Sequence, residues 1–251
     1  MELNKIHQVD CLKGVDEIET RSVNLIVSSP PYPNAEMWNQ SNETIEKVSE
    51  RLNNLALSFL EKSYRILADG GIICWNIADI PCVKEGTYPT QAKTTLFMIE
   101  HNFRFLGSLI WQKNLVQMKP VTYLKVPVIP AINHEYILVF TKGKRVTRGE
   151  TKQEDIQHIY KSIWDIQIER NRPDHICPYP LELPARCIRL FTIEGDTVLD
   201  PFMGSGTTAI ACKQLNRNFI GFEIEDKNIK IANERLSQIL KPKPNFGGYF
   251  K

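Results

Sequence analysis

Features that would mark a membrane or secreted protein are missing from this chain of 251 residues. No apolar run approaches the roughly 18 uncharged residues that a transmembrane helix needs. The first five residues, Met1-Glu2-Leu3-Asn4-Lys5, are polar and lack the apolar core of a secretory signal. We therefore expect a cytoplasmic protein that makes no membrane contact.

Metal-binding and redox patterns are also missing. The six cysteines include no Cys-x-x-Cys pair, so neither a zinc cluster nor a thioredoxin-type site is predicted, and the thiols are expected to be reduced and packed. His134 and Glu135 begin an apolar run without the spacing of metal ligands. We interpret them as structural residues and expect no metal site.

The charge balance is too even to identify a partner. The formal net charge is only +2, so a surface for a polyanion must come from local clustering of basic residues. Two segments without clear periodicity, 113–130 and 142–173, are the candidates, and we interpret both as recognition insertions. A charge-rich stretch is nevertheless more often a solvated loop. The second segment carries Lys142, Lys144, Arg145, Arg148, Lys152, Arg170 and Arg172.

The chain does contain the alternation of strands and helices that is typical of a parallel sheet. Residues 23–27 are a short β-branched run, 43–68 have helical spacing, and 72–77 are again apolar. Asp69-Gly70-Gly71 is expected to end the helix. The same order recurs at 197–199, 207–215 and 219–222. This pattern predicts a single, mostly parallel α/β domain over 1–251, with helices on both faces.

A rigid turn, Ser29-Pro30-Pro31-Tyr32, follows the first buried strand. Neither proline can donate a backbone N–H, and both have a fixed φ, so the turn ends the strand and aims its carbonyls and the Tyr32 ring. Such a turn suits a site that holds a flat group with an amine. Taken alone, it is equally typical of a rigid surface turn.

A second motif runs from Asp200 to Thr208, between a strand and a helix, and Glu223 ends the next strand. A glycine turn before a helix lets the backbone approach a ligand, and an acidic residue roughly 20 residues later commonly binds ribose hydroxyls. The third glycine of a dinucleotide site and the lysine of a P-loop are both missing here. The loop contains no cation, so it suits S-adenosylmethionine, which has no phosphate and a positive sulfur.

Together, the two motifs resemble those of the DNA amino-methyltransferases, which methylate N4 of cytosine or N6 of adenine. Ser29-Pro30-Pro31-Tyr32 is similar to the catalytic motif of that family, and 200–208 is similar to its cofactor motif. The catalytic motif comes first, as in the permuted β group. The resemblance extends to Asp10-Cys11 and to 175–186. It implies a Rossmann-like methyltransferase fold in circularly permuted order, with small recognition insertions.

The resemblance also implies roles for individual residues. The Ser29 hydroxyl and the Pro30 carbonyl would accept hydrogen bonds from the target amine, and Tyr32 would stack on a base flipped out of double-stranded DNA. Asp10 would bind the adenine amine of the cofactor and Glu223 its ribose. The full implied cofactor site is Asp10, Cys11, Asp200, Pro201, Phe202, Gly204, Ser205, Gly206, Thr207, Thr208 and Glu223.

The target base and the partners stay open at this point. Serine at position 29 favours cytosine N4, whereas aspartate there is usual for adenine N6, which remains the alternative. RNA or a protein amide as substrate, or a DNA-binding module without catalysis, are less favoured. Cytosine-C5 chemistry would need Cys82 as an activated thiolate and would leave the Ser29–Tyr32 motif without a role. The resemblance leaves open a restriction endonuclease partner and a homodimer.

Overall fold

The computed structural model describes residues 1–32, 44–82, 86–113, 132–144, 159–167 and 180–239. The strands are β1 Lys5–Gln8, β2 Val23–Ser28, β3 Leu67–Ile77, β4 Ile80–Cys82, β5 Gly86–Tyr88, β6 Phe103–Lys113, β7 His134–Lys142, β8 Ile163–Ile166, β9 Thr197–Asp200 and β10 Asn218–Glu223. The α-helices are α1 Cys11–Gly14, α2 Ile45–Ile66, α3 Thr90–Glu100, α4 Glu182–Phe191, α5 Thr207–Gln214 and α6 Asp226–Ser237, and Val15–Glu17 is a 3-10 turn.

In the described part of the chain, eight strands form the central sheet in the order β1-β10-β9-β2-β3-β7-β6-β8. Strands β1, β10, β9, β2 and β3 are parallel neighbours, β7 is antiparallel to both β3 and β6, and β6 and β8 are parallel. The N-terminal strand β1 thus pairs with the C-terminal strand β10. This pairing confirms the mostly parallel α/β sheet and the permuted order of its strands.

Alternate side chains of each strand enter two hydrophobic cores on opposite faces of the sheet. In β3, Ile73 and Trp75 pack on one face and Ile72 and Cys74 on the other. Helix α2 covers the first face, where its Phe59 ring stacks on Trp75 with centroids 6.2 Å apart. Helices α4 and α5 contribute to the core on the second face. Helices cover the apolar side chains on both faces of the sheet. A ligand site is therefore expected at the ends of the strands rather than on a face of the sheet.

The glycine turn at the end of α2 was predicted wrongly. Helix α2 ends at Ile66, and Leu67 is already extended, so Asp69-Gly70-Gly71 lies inside the first part of β3. Pairing with β2 is irregular there, since Val23 pairs with Leu67 and Leu25 with Ile72. The positive φ of Gly70 (73°) serves this irregularity rather than a helix cap.

Part of the segment 142–173 belongs to the sheet rather than to a loop. Lys142 ends β7, and β8 forms an edge strand beside β6. Trp164 of β8 is fully buried, and the Arg186 guanidinium lies 5.4 Å from the centre of its ring. Residues 114–131, 145–158 and 168–179 lie outside the described part of the chain, so the recognition role of the two insertions stays a prediction there.

Within the described ranges, no helix has the length and apolar character needed to span a membrane. The same ranges contain no group of three or more His, Cys, Asp or Glu side chains that could hold a metal ion.

Candidate active site

Both motifs lie at the carboxyl ends of neighbouring parallel strands. The catalytic turn follows β2 and the cofactor loop follows β9, and these strands are parallel neighbours. Strands β1 and β10 end at the same edge, so Asp10 and Glu223 arrive beside the cofactor loop. Ligands bind at the carboxyl ends of parallel strands in open α/β sheets. The beginning of the antiparallel strand β7 also lies here, next to the end of β3.

Asp200 organises the cofactor loop from beneath. It is only 1 % exposed, and its carboxylate accepts hydrogen bonds from the Ser28 hydroxyl (2.6 Å), the Phe202 N–H (3.0 Å) and the Thr208 hydroxyl (2.5 Å). Hydrogen bonds to a charged group are the stronger kind. Asp200 therefore fixes the loop and joins it to the strand that carries the catalytic turn, and its carboxylate is held from inside the protein.

Helix α6 holds the other side of the loop. Arg235 donates to the Ser205 carbonyl (2.5 Å) and to the Ser205 hydroxyl (2.8 Å). Gly206 has φ 82°, and a Cβ built there would lie 2.8 Å from the Cβ of Ala232. Only glycine fits this contact, because the left-handed backbone and the close helix both exclude a side chain. Sequence reasoning missed Arg235, since nothing local distinguishes it from a surface arginine.

Two acidic side chains flank the loop. The Glu223 carboxylate accepts from the Gly204 N–H (2.8 Å) and from the N–H groups of the two residues that follow it, Ile224 and Glu225. Asp10 accepts from Leu12 N–H (2.9 Å) and caps α1. Ile224, beside Glu223, is 60 % exposed and offers an apolar surface at this edge. A carboxylate oxygen has two acceptor sites, so both acids keep capacity for ligand hydroxyl or amino groups.

Cys11 lies differently from its neighbours in the predicted cofactor set. Its side chain is 4 % exposed and packs in the core with Val15 and Phe222. Burial, followed by the charge of Asp10, raises the pKa of the thiol to about 12. Any contribution of Cys11 to cofactor binding would therefore come from its backbone.

The groups around this loop fit S-adenosylmethionine. The Glu223 carboxylate contacts the loop at Gly204, and Asp10 follows the neighbouring strand β1. The Arg235 guanidinium contacts the loop at Ser205, on the α6 side. A Cβ added at Gly204, whose φ is 51°, would lie no closer than 3.9 Å to its nearest contact, so the backbone is open there. Phe202 packs edge-on to Trp75, with centroids 6.1 Å apart. Such a site favours a ligand with hydroxyls and a positive centre over a phosphate.

The catalytic turn is held from below by polar groups. Pro30 is buried and Ser29 is partly buried. The Ser29 hydroxyl accepts from Asn76 Nδ2 at 3.4 Å, and the Tyr32 hydroxyl lies 3.4 Å from both the Asn76 carbonyl and Glu135 Oε2. Burial raises the pKa of Tyr32 well above its ordinary value, and the nearby Glu135 charge raises it further. Tyr32 is therefore a neutral phenol whose hydroxyl is anchored inward.

Three residues at this end were missed by sequence reasoning: Asn76, Lys113 and Glu135. From the sequence we interpret Glu135 as a structural residue, and in the structure its carboxylate contacts Asn76 Nδ2 and forms an ion pair with Lys113. It is 7 % exposed and is the second residue of β7. An acidic residue at the start of an otherwise apolar strand was the available signal. It could not be used without knowing that β7 is antiparallel and pairs with β3.

Cys82 has no place in this arrangement. It lies in the small β4–β5 hairpin, is 1 % exposed, and its thiol donates to the Ile80 carbonyl at 3.4 Å. A nucleophilic cysteine needs an exposed, electropositive setting. The hairpin position argues against cysteine-dependent C5 chemistry.

The sheet order, the permuted motifs and the acidic ends of β1 and β10 define an α/β methyltransferase. The profile of the N6/N4 DNA methylase family matches residues 23–234, and the chain belongs to this family. The chain is therefore a DNA amino-methyltransferase, and its cofactor is S-adenosyl-L-methionine.

Relatives and solved structures agree with this membership. The chain is 36 % identical to the type II methyltransferase M.MjaI of Methanocaldococcus jannaschii, over 89 % of this chain and 88 % of the relative. It is 31 % identical to M.MthZI of Methanothermobacter thermautotrophicus, over 90 % and 75 %. TTHA0409 of Thermus thermophilus, a candidate DNA modification methylase complexed with S-adenosyl-L-methionine, is 27 % identical, with a TM-score of 0.76 over 96 % and 95 % of the chains.

The fold is also that of the cytosine-N4-specific PvuII DNA methyltransferase. Its TM-score is 0.75 at 18 % identity, over 92 % of this chain and 85 % of that chain. At this identity the likeness concerns the fold alone.

Proposed function

We propose that the protein transfers a methyl group from S-adenosylmethionine to N4 of a cytosine flipped out of double-stranded DNA. Ser29 at the first position of the catalytic turn is the observation that carries this choice of base. A hydroxyl there, in place of a carboxylate, is the pattern more often associated with cytosine N4. Adenine N6 is the alternative within the same family.

Two acceptors are proposed to hold the amine. The Ser29 hydroxyl oxygen and the Pro30 carbonyl oxygen would each take one amine hydrogen, which draws the nitrogen lone pair out of conjugation with the ring. Both come from one short turn whose φ angles are fixed by proline, so little ordering is needed when the base arrives. Tyr32, anchored through its hydroxyl, would offer its ring face to the flipped base.

Bound S-adenosylmethionine supplies an electrophilic methyl carbon on a cationic sulfur. The amine nitrogen, held by Ser29 and Pro30, would use its lone pair to form the N–C bond while the C–S electrons stay with the sulfur of the cofactor held by 200–208 and Glu223. One amine proton would pass to water. No covalent bond forms between the protein and the base. The work of this chain is positioning, because the turn after β2 and the loop after β9 are joined by the Ser28–Asp200 hydrogen bond.

Incubation with labelled S-adenosylmethionine and mixed-sequence duplex DNA, followed by nucleoside mass spectrometry, tests the proposal. N4-methylcytosine is the expected product. N6-methyladenine would contradict the choice of base but keep the amine chemistry. 5-Methylcytosine would contradict both. In parallel incubations with RNA or with a protein mixture, label in either of these without label in DNA would contradict the substrate.

The recognition insertions, a restriction endonuclease partner and a homodimer are further proposals. The names of the relatives M.MjaI and M.MthZI include "type II", which suggests a restriction–modification setting for this chain as well. Footprinting of the full chain on a methylatable duplex, with and without residues 145–158 replaced by a Gly/Ser linker, would test the role of the second insertion.

A further inference from the structure

Glu135 is a buried carboxylate that the amine chemistry described above does not use. It is 7 % exposed, and its two oxygens are engaged on different sides. Oε1 pairs with the Lys113 ammonium, while Oε2 receives the Asn76 amide nitrogen and lies 3.4 Å from the Tyr32 hydroxyl. Burying a charge is costly unless it is paired and hydrogen-bonded, and Glu135 has both forms of compensation.

Asn76 connects this carboxylate to the catalytic turn. The same nitrogen, Nδ2, contacts Glu135 Oε2 and donates to the Ser29 hydroxyl at 3.4 Å. The orientation of the amide is fixed, because its oxygen would repel the carboxylate if the group were turned over. Asn76 Oδ1 is buried and has no hydrogen-bond partner in the described part of the chain. Leaving an acceptor unpaired costs about 1–3 kcal/mol, so the network keeps Nδ2 between Glu135 and Ser29 at the expense of Oδ1.

We propose that Glu135 is a positioning residue for methyl transfer: acting through Asn76 and Tyr32, its carboxylate orients the Ser29 hydroxyl and supplies the negative charge that serine at this position lacks. The inference rests on the proposed function, because it requires Ser29 to hold the amine. As the N–C bond forms, the amine nitrogen becomes positive. Lys113 pairs with Oε1, whereas Oε2 faces Asn76 and Tyr32, so the negative end of this ion pair is directed to the acceptor. A negative group directed there stabilises the developing positive charge more than it stabilises the neutral amine.

The contacts of 3.4 Å are long for hydrogen bonds, and this is compatible with the role. Hydrogen bonds of catalytic groups are often long before substrate binds and tighten in the loaded complex. The Glu135 end of the network is already tight, with Asn76 and Lys113 both in direct contact with the carboxylate. The long contacts are therefore those of the Ser29 and Tyr32 hydroxyls, which belong to the two residues that would contact the base.

The first experiment compares Glu135→Gln, which keeps the shape and removes the charge, with Thr141→Val. Thr141 is buried on the same strand at its opposite end, where its hydroxyl donates to the Gly71 carbonyl at 3.1 Å. Glu135→Gln is expected to lower the single-turnover rate on duplex DNA by about 10- to 100-fold, while the Kd for S-adenosylmethionine changes by less than about 2-fold. Thr141→Val should lower the unfolding midpoint and leave the rate unchanged.

The second experiment moves the charge. Ser29→Asp alone places two carboxylates on Asn76 and should lower the rate, since like charges at this distance oppose each other. In Ser29→Asp combined with Glu135→Gln, one carboxylate remains, now at the amine. The double variant is therefore expected to be faster than either single variant, which a merely structural Glu135 would not produce.

Three results would overturn the inference: a wild-type rate for Glu135→Gln, a loss of rate matched by loss of cofactor affinity, or additive losses in the double variant. Its failure is distinguishable from failure of the proposed function. If the wild-type protein makes no N4-methylcytosine, the proposed function fails. If it makes N4-methylcytosine and any of the three results is found, only the role of Glu135 fails.

Discussion

The cofactor loop and the catalytic turn lie at the same edge of one sheet but are assembled differently. The loop contains its own central support, because Asp200 accepts from Phe202 and Thr208. Ser28, Glu223 and Arg235 hold it from outside. The turn is held by Asn76, Lys113 and Glu135, which come from three other strands. A site built from one segment can be found in a sequence, whereas a site built across strands needs the fold. The first two predictions below test whether binding and chemistry separate between these regions.

The largest effect is expected for Asp200→Ala. It removes a buried acceptor that holds Ser28, Phe202 and Thr208, so the loop loses its shape. The Kd for S-adenosylmethionine, measured by calorimetry, should rise at least about 100-fold, which corresponds to about 2.7 kcal/mol. Asp200→Asn keeps one carbonyl oxygen for Ser28 and Phe202 and should lose much less. If the cofactor affinity of Asp200→Ala were unchanged, contacts other than those of Asp200 would hold the cofactor loop in shape.

Tyr32→Ala should affect turnover rather than cofactor binding. The stacking surface for the flipped base is lost, and a base–aromatic stack contributes about 1–3 kcal/mol, so the rate on duplex DNA should fall by about 10- to 100-fold. The cofactor Kd should stay within about 2-fold of the wild-type value. Tyr32→Phe keeps the ring but loses the hydroxyl contact with Glu135, so it should recover only part of the rate. If cofactor affinity and rate fell by the same factor, Tyr32 would contribute to cofactor binding, and the stacking role would be contradicted.

A matched pair of glycines tests the contact between the cofactor loop and helix α6. Gly195 and Gly206 have nearly the same φ, 83° and 82°, but only Gly206 faces Ala232. Gly195→Ala should cost backbone strain alone, about 1 kcal/mol. Gly206→Ala should cost about 1–3 kcal/mol more because the added methyl group overpacks the contact. Urea unfolding measures the loss of unfolding free energy in both variants. Equal losses would mean that helix α6 moves away from the added methyl group without cost.

The smallest effect is expected for Ser28→Ala, which removes the bond that joins the two regions. Ser28 donates to Asp200 at 2.6 Å, and two other donors to that carboxylate remain. The free energy of unfolding should fall by about 1–2 kcal/mol. Cofactor affinity and single-turnover rate should each change by only a few-fold. A severe loss of either one would show that the two regions work as a single unit.

The sequence predicted the parallel half of this molecule well, for a physical reason. Parallel strands carry continuous apolar runs, and their carboxyl ends share an edge, so 23–27, 197–199 and 219–222 already place Ser29, Asp200 and Glu223 together. The permuted order followed from the resemblance, because the catalytic motif precedes the cofactor motif in the chain. The pairing of β1 with β10 confirms this.

The antiparallel half could not be predicted in the same way. Nothing local shows that β7 inserts between β3 and β6. That insertion brings Glu135 to the site. Similarly, β8 was hidden in a basic segment because four residues give too short a pattern. Its contacts are also distant in sequence: Trp111 Nε1 donates to the Ile166 carbonyl, and the Arg186 guanidinium lies over the Trp164 ring. Gly70 and Gly71 were misplaced because a glycine pair fits a helix end and an irregular strand equally well.

The most direct test of the central claim is the Ser29→Ala variant, assayed at saturating S-adenosylmethionine and duplex DNA in a single turnover. If Ser29 accepts the target amine, the rate of methyl transfer should fall by about 100-fold, as when one preorganised hydrogen-bonding group is removed from an active site, while the cofactor Kd stays within about 2-fold of wild type. A wild-type rate, or a loss of rate explained by loss of cofactor affinity, would contradict the assignment of Ser29-Pro30-Pro31-Tyr32 as the turn that carries the chemistry.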